Sequence, residues 1–304
     1  MTQLTGANIV ASVRHRLLNK SRETDRPFSE LLQYFAMERF LYRLSQSSHE
    51  KKFILKGALT LIAWRVSVTR PTMDIDFLGM TDNHIDAIIA IVKDICQQDI
   101  EPDGLAFDPA SVEGEHIVND ADYGGVRIRF RGTLGTARIT MQLDIGFGDV
   151  IVPEPEIMVY PAILDLPAPR LKGYSRESVV AEKFEAMVKL GILNSRVKDF
   201  FDIWLLSRQF DFQGGTLAQA ITETFANRGT AIVAEPVAFT AAYANDAARQ
   251  IQWQGFVRKN RLRELPAGFT EIVGANAAFL APIAQALTGG EDFKKIWQAP
   301  GPWH

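Results

Sequence analysis

The sequence predicts an α+β fold in which a mixed sheet follows N-terminal helices and precedes a helical C-terminal part. Three observations support this. Apolar residues recur at helical spacing from Asn8 to Ser48, strand patterns dominate up to about residue 150, and helical spacing then resumes. The Pro-rich segment VPEPEIMVYPAILDLPAPR lies between the two halves. We therefore predict two domains, residues 1–165 and 166–304, with the second completing an active-site cleft.

The composition is that of a soluble globular protein. The 304 residues are 47% hydrophobic and carry a formal net charge of −3, which neither requires nor excludes a nucleic-acid partner. The single cysteine, Cys96, rules out an internal disulfide framework and fits a reducing compartment. The N-terminus lacks the features of a signal peptide, and the longest uncharged run, IVGANAAFLAPIAQALTGG, is interpreted as too polar to span a bilayer. We expect a cytoplasmic protein without a membrane partner.

The elements of the first half follow from their local patterns. In LLQYFAMERFLYRLSQ, Leu32, Phe35, Phe40 and Leu41 share one stripe of a helix. FILKGALTLIAWRV indicates a strand that enters a helix at Gly57, and DNHIDAIIAIVKDICQQ is typical of an amphipathic helix. VRIRFRG and ARITMQLDIGFGD alternate with period two around TLGT, which predicts a hairpin. After the Pro-rich segment, ESVVAEKFEAMVKL, KDFFDIWLLSRQ and LAQAITETFA predict helices, and no strong strand signal follows it.

Several chemistries have no motif in this chain. It contains no GxxxxGK[ST] loop, no GxSxG elbow and no HExxH helix, and its five histidines lie far apart in sequence. P-loop and zinc chemistry are therefore disfavoured. The candidate site is acidic instead.

The stretch RPTMDIDFLG carries two aspartates, Asp74 and Asp76, on one face of a strand, because alternate side chains point the same way. Two carboxylates this close repel one another unless a cation lies between them, and Mg²⁺ or Mn²⁺ is the usual choice. Asp144, on the polar face of ITMQLDIGF, could complete a three-carboxylate site. The alternative is a solvated strand edge for the pair, and an arginine partner on the preceding strand for Asp144.

Residues that could bind a nucleotide lie on both sides of this motif. Gly57 and Ala58 stand where a strand passes into a helix, so backbone N–H groups there could approach a phosphate. Lys183 falls within the apolar stripe of SRESVVAEKFEAMVKLG, where it either extends to solvent or directs its ammonium into a cleft. In RVKDFFDIW, Lys198 and Asp202 form either an ordinary surface ion pair or a group that orients Lys183 or the nucleotide.

In order and spacing, LKGALTL, RPTMDIDF, LDIGF, SRESVVAEKFEAM and RVKDFFDIW resemble the AbiEii/AbiGii nucleotidyltransferase-like toxins of abortive-infection toxin–antitoxin systems. The resemblance extends from ERFLYRL through the last helical segments. It implies a DNA polymerase β-type nucleotidyltransferase fold and transfer of a nucleotide from an NTP, in some relatives to the 3′ end of tRNA. It also implies a cognate antitoxin encoded nearby.

The resemblance assigns roles to individual residues of this chain. Gly57 belongs to the nucleotide-contacting turn, Lys183 binds phosphate, and Asp202 is the helical acid. Asp74 and Asp76 are the metal ligands, and Arg70 and Thr72 fit the pattern that flanks them. Ala58 is a departure, because relatives usually have a second Gly or a Ser there, so a phosphate-contacting hydroxyl is absent.

These interpretations lead to a Mg²⁺-dependent nucleotidyltransferase with an RNA acceptor. Two alternative functions remain open. One alternative is transfer to a protein side chain, as in AMPylation, and the other is a non-catalytic module that binds a nucleotide or a partner. For an RNA acceptor, the predicted contact is a basic segment in VRKNRLREL; its members are Arg258, Lys259, Arg261 and Arg263. The first helix, with Arg14, Arg16, Lys20 and Arg22, is an equal competitor.

Overall fold

The computed structural model describes residues 6–66, 70–117, 124–262, 266 and 268–304. The chain divides into two compact units. The sheet unit comprises Met1–Arg65, Thr72–Gly148 and Glu156–Gly173, and the helical unit comprises Val66–Pro71, Asp149–Pro155 and Tyr174–His304. Two short segments that precede residue 166 thus belong to the helical unit.

The sheet unit is built on a seven-stranded mixed sheet. In chain order its strands are β1 Phe53–Lys56, β2 Ile75–Gly79, β3 Leu105–Ile117, β4 Gly125–Leu134, β5 Ala137–Phe147, β6 Glu156–Val159 and β7 Arg170–Gly173. Their spatial order is β3-β4-β5-β2-β1-β7-β6. β2 runs parallel to β5 and β1 runs parallel to β7, whereas the other neighbours are antiparallel. The α+β class with a mixed sheet and N-terminal helices is confirmed.

Helices cover the apolar face of this sheet. They are α1 Gly6–Thr24, α2 Phe28–Gln46, α3 Ala58–Ala63 and α4 Ile85–Cys96. The predicted stripe of α2 is buried, as are the alternate residues Met141, Leu143 and Ile145 of β5. These side chains belong to one continuous core. The opposite face of β5 keeps its polar residues, so the alternation predicted for this strand is confirmed.

A buried ion pair on α2 holds the chain that connects β6 to β7. Glu38 and Arg39 are almost fully buried, with 3.1 Å between Arg39 Nε and Glu38 Oε1. Glu38 accepts the Ile163 N–H at 2.7 Å, and Arg39 donates to the Pro167 carbonyl at 2.5 Å. Burial raises the pKa of the Glu38 carboxyl to about 7, although the Arg39 charge acts in the opposite direction.

Strands occur within and after the Pro-rich segment, where the sequence gives no strong strand signal. β6 lies inside that segment and β7 begins at its last residue, Arg170, and both join the main sheet. Prolines at 153, 155 and 161 conceal the short run EIMV, because proline normally marks a strand boundary. Two further short strands, β8 Phe212–Gln213 and β9 Ile296–Trp297, pair within the helical unit.

The helical unit contains the predicted helices and several more. They are α5 Arg176–Leu190, α6 Val197–Gln209, α7 Gly214–Asn227, α8 Ala241–Ala244, α9 Ala247–Lys259 and α10 Phe269–Gly289. Among the described residues, α10 is the one helix whose length and composition would permit a membrane span, so the interpretation of this run as too polar is wrong. Its buried residues recur at helical spacing and it contacts α6, α7 and α9, as a core helix does.

The segment Asp149–Pro155 is bound to the helical unit by polar contacts. Val152 donates its N–H to Ser178 Oγ at 2.7 Å and accepts from the Ser175 hydroxyl at 2.7 Å. Arg228 donates to Asp149 Oδ1 at 2.7 Å and to Glu185 Oε2 at 3.1 Å. These bonds join a segment that precedes β6 to helices that follow β7.

Candidate functional site

The turn between β1 and α3 requires a glycine and leaves room for a carboxylate. Gly57 has φ +71° and ψ −154°, a conformation that L side chains rarely adopt. A Cβ atom at this position would lie 2.0 Å from Asp76 Oδ2 and 2.8 Å from Asp76 Cβ. The space that a side chain would fill at Gly57 is therefore occupied by the Asp76 carboxylate. Ala58, the first residue of α3, is buried.

The two aspartates of the DxD motif lie at the beginning of β2. Asp76 is within the strand, between the buried Ile75 and Phe77, and Asp74 immediately precedes it; both acids are half-buried. Thr72 donates its N–H to the Tyr34 hydroxyl at 3.0 Å and its own hydroxyl to the Asp74 carbonyl at 3.4 Å. The hydroxyl of Thr72 thus faces the backbone of the motif.

Asp144 is the cross-strand neighbour of Asp76 on β5, so the predicted proximity of these two acids is present. It is also held by β4. Arg127 donates from Nε to Asp144 Oδ1 and from Nη2 to Asp144 Oδ2, each at 2.7 Å. These hydrogen bonds raise the pKa of the Arg127 guanidinium against the effect of burial, and the charge of Asp74 adds to the increase. The arginine partner considered for Asp144 is therefore present.

Charged residues form a row across the polar face of the sheet, with the two acids Asp144 and Asp76 adjacent in it. The register pairs Glu115 with Arg127, Arg127 with Asp144, Asp144 with Asp76, and Asp76 with Lys56. No three His, Cys, Asp or Glu side chains within the described ranges are arranged to hold a metal ion. The carboxylates of Asp74 and Asp76, the latter uncrowded because Gly57 has no side chain, still provide the hard oxygen donors that Mg²⁺ prefers, so these residues fit a divalent cation.

A second group of charges lies within the helical unit, between α5 and α6. Lys183 Nζ is 2.8 Å from Asp199 Oδ1 and 2.8 Å from Asp202 Oδ2. Burial alone would lower the pKa of Lys183, but the two carboxylates outweigh burial and raise it. Lys183 does not simply extend to solvent, because its ammonium ends between two buried acids.

Two arginines extend this group at either end. Arg70 donates from Nε to Asp202 Oδ1 and from Nη2 to Asp202 Oδ2, each at 3.1 Å. Arg196 Nε is 2.6 Å from Asp199 Oδ2. Burial acts to raise the pKa of Asp202, but Arg70 and Lys183 lower it below its usual value. We call these five residues, Arg196, Asp199, Lys183, Asp202 and Arg70, the ion-pair chain.

Lys198 differs from the members of this chain. It is exposed at the beginning of α6, and it is not the partner of Asp202, which is buried and pairs with Arg70 and Lys183. The interpretation of Lys198 and Asp202 as an ordinary surface ion pair is therefore wrong. Partial burial lowers the pKa of Lys198, and the nearby cations Arg70, Lys183 and Arg196 lower it further, whereas Asp199 raises it. Its ammonium is a cation available to an anionic ligand.

The basic segment stands at the C-terminal end of α9. Arg258, Lys259 and Arg261 are exposed, and Arg263 lies outside the described residues. On the competing first helix, the Arg14 guanidinium stacks over the Phe28 ring at 5.9 Å, and Lys20 pairs with Glu23 at 3.2 Å. The first helix therefore has fewer cations free of local partners than α9.

Sequence reasoning missed two residues of the ion-pair chain, Asp199 and Arg196. Asp199 and Asp202 are three positions apart, so both carboxylates lie on one face of α6. That spacing was the signal that could have found Asp199. Arg70 was predicted only from the motif that it precedes, and its bond to Asp202 joins residues 132 positions apart.

One family model matches most of the chain. Residues 39–275 match the family model described as nucleotidyl transferase AbiEii toxin, Type IV TA system. Two solved structures from Helicobacter pylori are similar, one described as a candidate nucleotidyltransferase and the other as JHP933. Each is 15% identical over 86% of this chain with a TM-score of 0.46, and they are covered over 95% and 92% of their own lengths. No curated protein matches the chain.

Proposed function

Because the chain belongs to the AbiEii family of nucleotidyl transferase toxins, we propose that it transfers a nucleotide from an NTP to an RNA acceptor in a Mg²⁺-dependent reaction. The 3′ end of tRNA is the acceptor class that we propose. The observation that carries this proposal is the pair Asp74 and Asp76 at the start of β2, with the Asp76 carboxylate in the space beside Gly57. A binding module has no need of two repelling carboxylates at such a turn.

We assign Asp74 and Asp76 as the ligands of Mg²⁺ or Mn²⁺. When bound, the cation would neutralise the triphosphate and polarise the reacting phosphoryl group. Asp144 is a third candidate ligand beside Asp76, but it would have to share its carboxylate with Arg127 or leave it. The bidentate pair fixes the orientation of the Asp144 carboxylate, which suits a ligand or a positioning group better than a general base.

We assign the cations of the helical unit to the phosphates of the nucleotide. Lys198 is exposed and bears a charge that neighbouring cations make less favourable, so a phosphate there would relieve their repulsion. Lys183 and Arg70 are held in place by Asp202, so their ammonium and guanidinium groups need little reorganisation to face an anion. Gly57, Ala58 and Thr72 are the proposed contacts in the sheet unit.

The proposed step is an in-line displacement. An acceptor hydroxyl attacks the α-phosphate and gives up its proton to water, a new P–O bond forms, and the bond to pyrophosphate breaks so that pyrophosphate leaves. The exposed basic segment of α9 is the proposed contact for the RNA backbone. A cognate antitoxin encoded nearby and a cytoplasmic location complete the proposal; the lone cysteine, Cys96, is compatible with a reducing compartment.

The experiment uses each α-labelled NTP in turn, with total cellular RNA and protein as acceptors and with Mg²⁺ present or removed. We expect label in RNA, lost in Asp76→Asn and retained in the control Asp165→Asn, whose carboxylate is fully exposed. Label in the protein fraction would instead select AMPylation. If wild type bound NTP but labelled neither fraction, the non-catalytic alternative would be correct.

A further inference from the structure

The sheet ends in a strand whose outer side is open. β6, the four residues Glu156–Val159, is the last strand of the sheet, and in the described part of the chain no strand besides β7 pairs with it. Ile157 and Val159 are 62% and 49% exposed, although both are β-branched and apolar. Edge strands are usually protected by lysine, proline or a bulge, and EIMV contains none of these.

The hydrogen-bond register shows which backbone groups of β6 face outward. Tyr160 donates its N–H to the Pro169 carbonyl at 2.9 Å, so this antiparallel pair is a hydrogen-bonded one. Bonded pairs alternate along such a ladder, which makes Val159 and Ile157 members of the non-bonded pairs. The N–H and C=O groups of Ile157 and Val159 therefore point away from the sheet. The two exposed apolar residues are also the two with outward-facing backbone groups.

The neighbouring strand places two cations on the same face. Ile157 is opposite Lys172 and Val159 is opposite Arg170, and side chains in non-bonded pairs approach most closely. Lys172 and Arg170 are exposed, and neither makes an ion pair or side-chain hydrogen bond with any described residue. The edge thus combines open backbone groups, an apolar pair and two cations without acidic partners.

We propose that β6 binds an extended segment of another protein, which adds to the sheet as an eighth strand and carries apolar and acidic residues on the face of Ile157 and Val159. The backbone groups of the segment would pair with those of β6. Its apolar residues would lie beside Ile157 and Val159, and its carboxylates would reach Lys172 and Arg170.

Two other occupants fit the edge less well. A polynucleotide would use the cations but not the outward N–H and C=O groups, and no aromatic residue occurs in β6 or β7 for base stacking. A second copy of this chain would pair with the backbone, but it would bring the same cations and leave their charge unmatched. The proposal is independent of the transferase reaction, so failure of either leaves the other intact.

The probe is a fluorescein-labelled peptide, Gly-Ser-Glu-Thr-Val-Thr-Glu-Thr-Val-Ser-Gly, measured by fluorescence polarisation against the full-length protein. Ile157→Pro removes an outward N–H without breaking a bond to β7, since the position is non-bonded and extended. Arg170→Gln with Lys172→Gln removes the cations. Lys51→Gln with Lys295→Gln, two exposed lysines elsewhere, is the charge-matched control. A peptide with N-methyl groups on alternate amides tests the backbone contact without altering the protein.

We expect wild type and the control to bind the peptide, and each test variant and the N-methylated peptide to lose at least about tenfold in affinity. The proposal would be overturned if wild type did not bind the peptide. It would also be overturned if Ile157→Pro bound the peptide as tightly as wild type does and wild type bound the N-methylated peptide equally well. Two further outcomes would replace it. A wild-type dimer in sedimentation that Ile157→Pro makes monomeric assigns the edge to a second copy. Oligouridylate binding that the Gln variant alone abolishes assigns it to RNA.

Discussion

Replacing Gly57 by alanine tests the acid pair through its geometry, without removing a carboxylate. The new Cβ would stand 2.0 Å from Asp76 Oδ2, well inside van der Waals contact, and 2.8 Å from Asp76 Cβ, so the carboxylate and its strand must move. A displacement of about 1 Å at a reacting centre costs on the order of 100-fold in rate. The residue also has φ +71°, and a non-glycine residue there costs about 1–3 kcal/mol of stability.

Gly191 provides the matched control. It has φ +49° and ψ −123°, similar to Gly57, but a Cβ there would meet no atom within 4 Å. Gly191→Ala therefore carries the same kind of backbone strain without touching Asp76. We expect both variants to lose a similar amount of free energy of unfolding in urea titrations, and Gly57→Ala alone to lose turnover.

The assay is the initial rate of label transfer from the preferred NTP to RNA at saturating Mg²⁺, with both variants held well below their melting temperatures. Wild-type turnover in Gly57→Ala would refute the placement of Asp76 at the reacting centre. Equal loss of turnover in Gly191→Ala would attribute the effect to general strain. Either result would remove the main support for the acid pair as the metal site.

Three more predictions follow from other parts of the molecule. Lys183→Met should raise the KM for NTP and also lower the free energy of unfolding by about 3 kcal/mol, because it leaves Asp199 and Asp202 short of a buried cation. Recovery of stability but not of KM in Lys183→Arg would separate the two effects. An unchanged KM in Lys183→Met would contradict phosphate binding. Changing the basic segment to Gln should flatten the slope of log K for single-stranded RNA against log salt by about 0.7 for each lost contact, measured by filter binding, and an unchanged slope would exclude this surface. The pKa of Glu38 is about 7 in the folded protein against an ordinary value of 4.5, so the folded state keeps this proton to higher pH and stability should fall as pH rises from 4.5 to 7. Thermal melts of Glu38→Gln across this pH range should lack that loss. Parallel profiles of melting temperature against pH for the two proteins would contradict the prediction.

The structural features that the sequence predicted correctly depend on short-range signals. Alternation along β4 and β5 around Gly135 indicates the hairpin, and the change of period at Gly57 indicates the strand-to-helix turn. The same alternation sets Asp76 and Asp144 on the polar faces of their strands. Parallel pairing of β2 with β5 makes the two acids neighbours. No local pattern predicts this pairing, and the sequence suggested it only through the hypothesis that the acids share one metal ion.

The features that the sequence did not predict either depend on contacts between residues far apart in the chain or run against the local residue pattern. Nothing in the run EIMV, between prolines, indicates that β6 extends a sheet. β3 contains Pro109 and shifts register between Asp108 and Glu113, so its alternation is interrupted. The burial of Asp202 beneath Arg70 depends on a contact that no helical periodicity encodes.

The two short segments that belong to the helical unit, Val66–Pro71 and Asp149–Pro155, make that unit depend on sequence synthesised long before it. A clone that begins at residue 174 would lack both Arg70 and Asp149. Asp202 would then keep only Lys183, and Arg228 would lose Asp149 and keep only the α5 acids Glu182 and Glu185. A buried charge deprived of its partner is costly, so such a fragment should be expressed in an insoluble or partly folded form. On the ribosome the order is favourable, since Arg70 and Asp149 emerge first and are already present when the helices that need them are made.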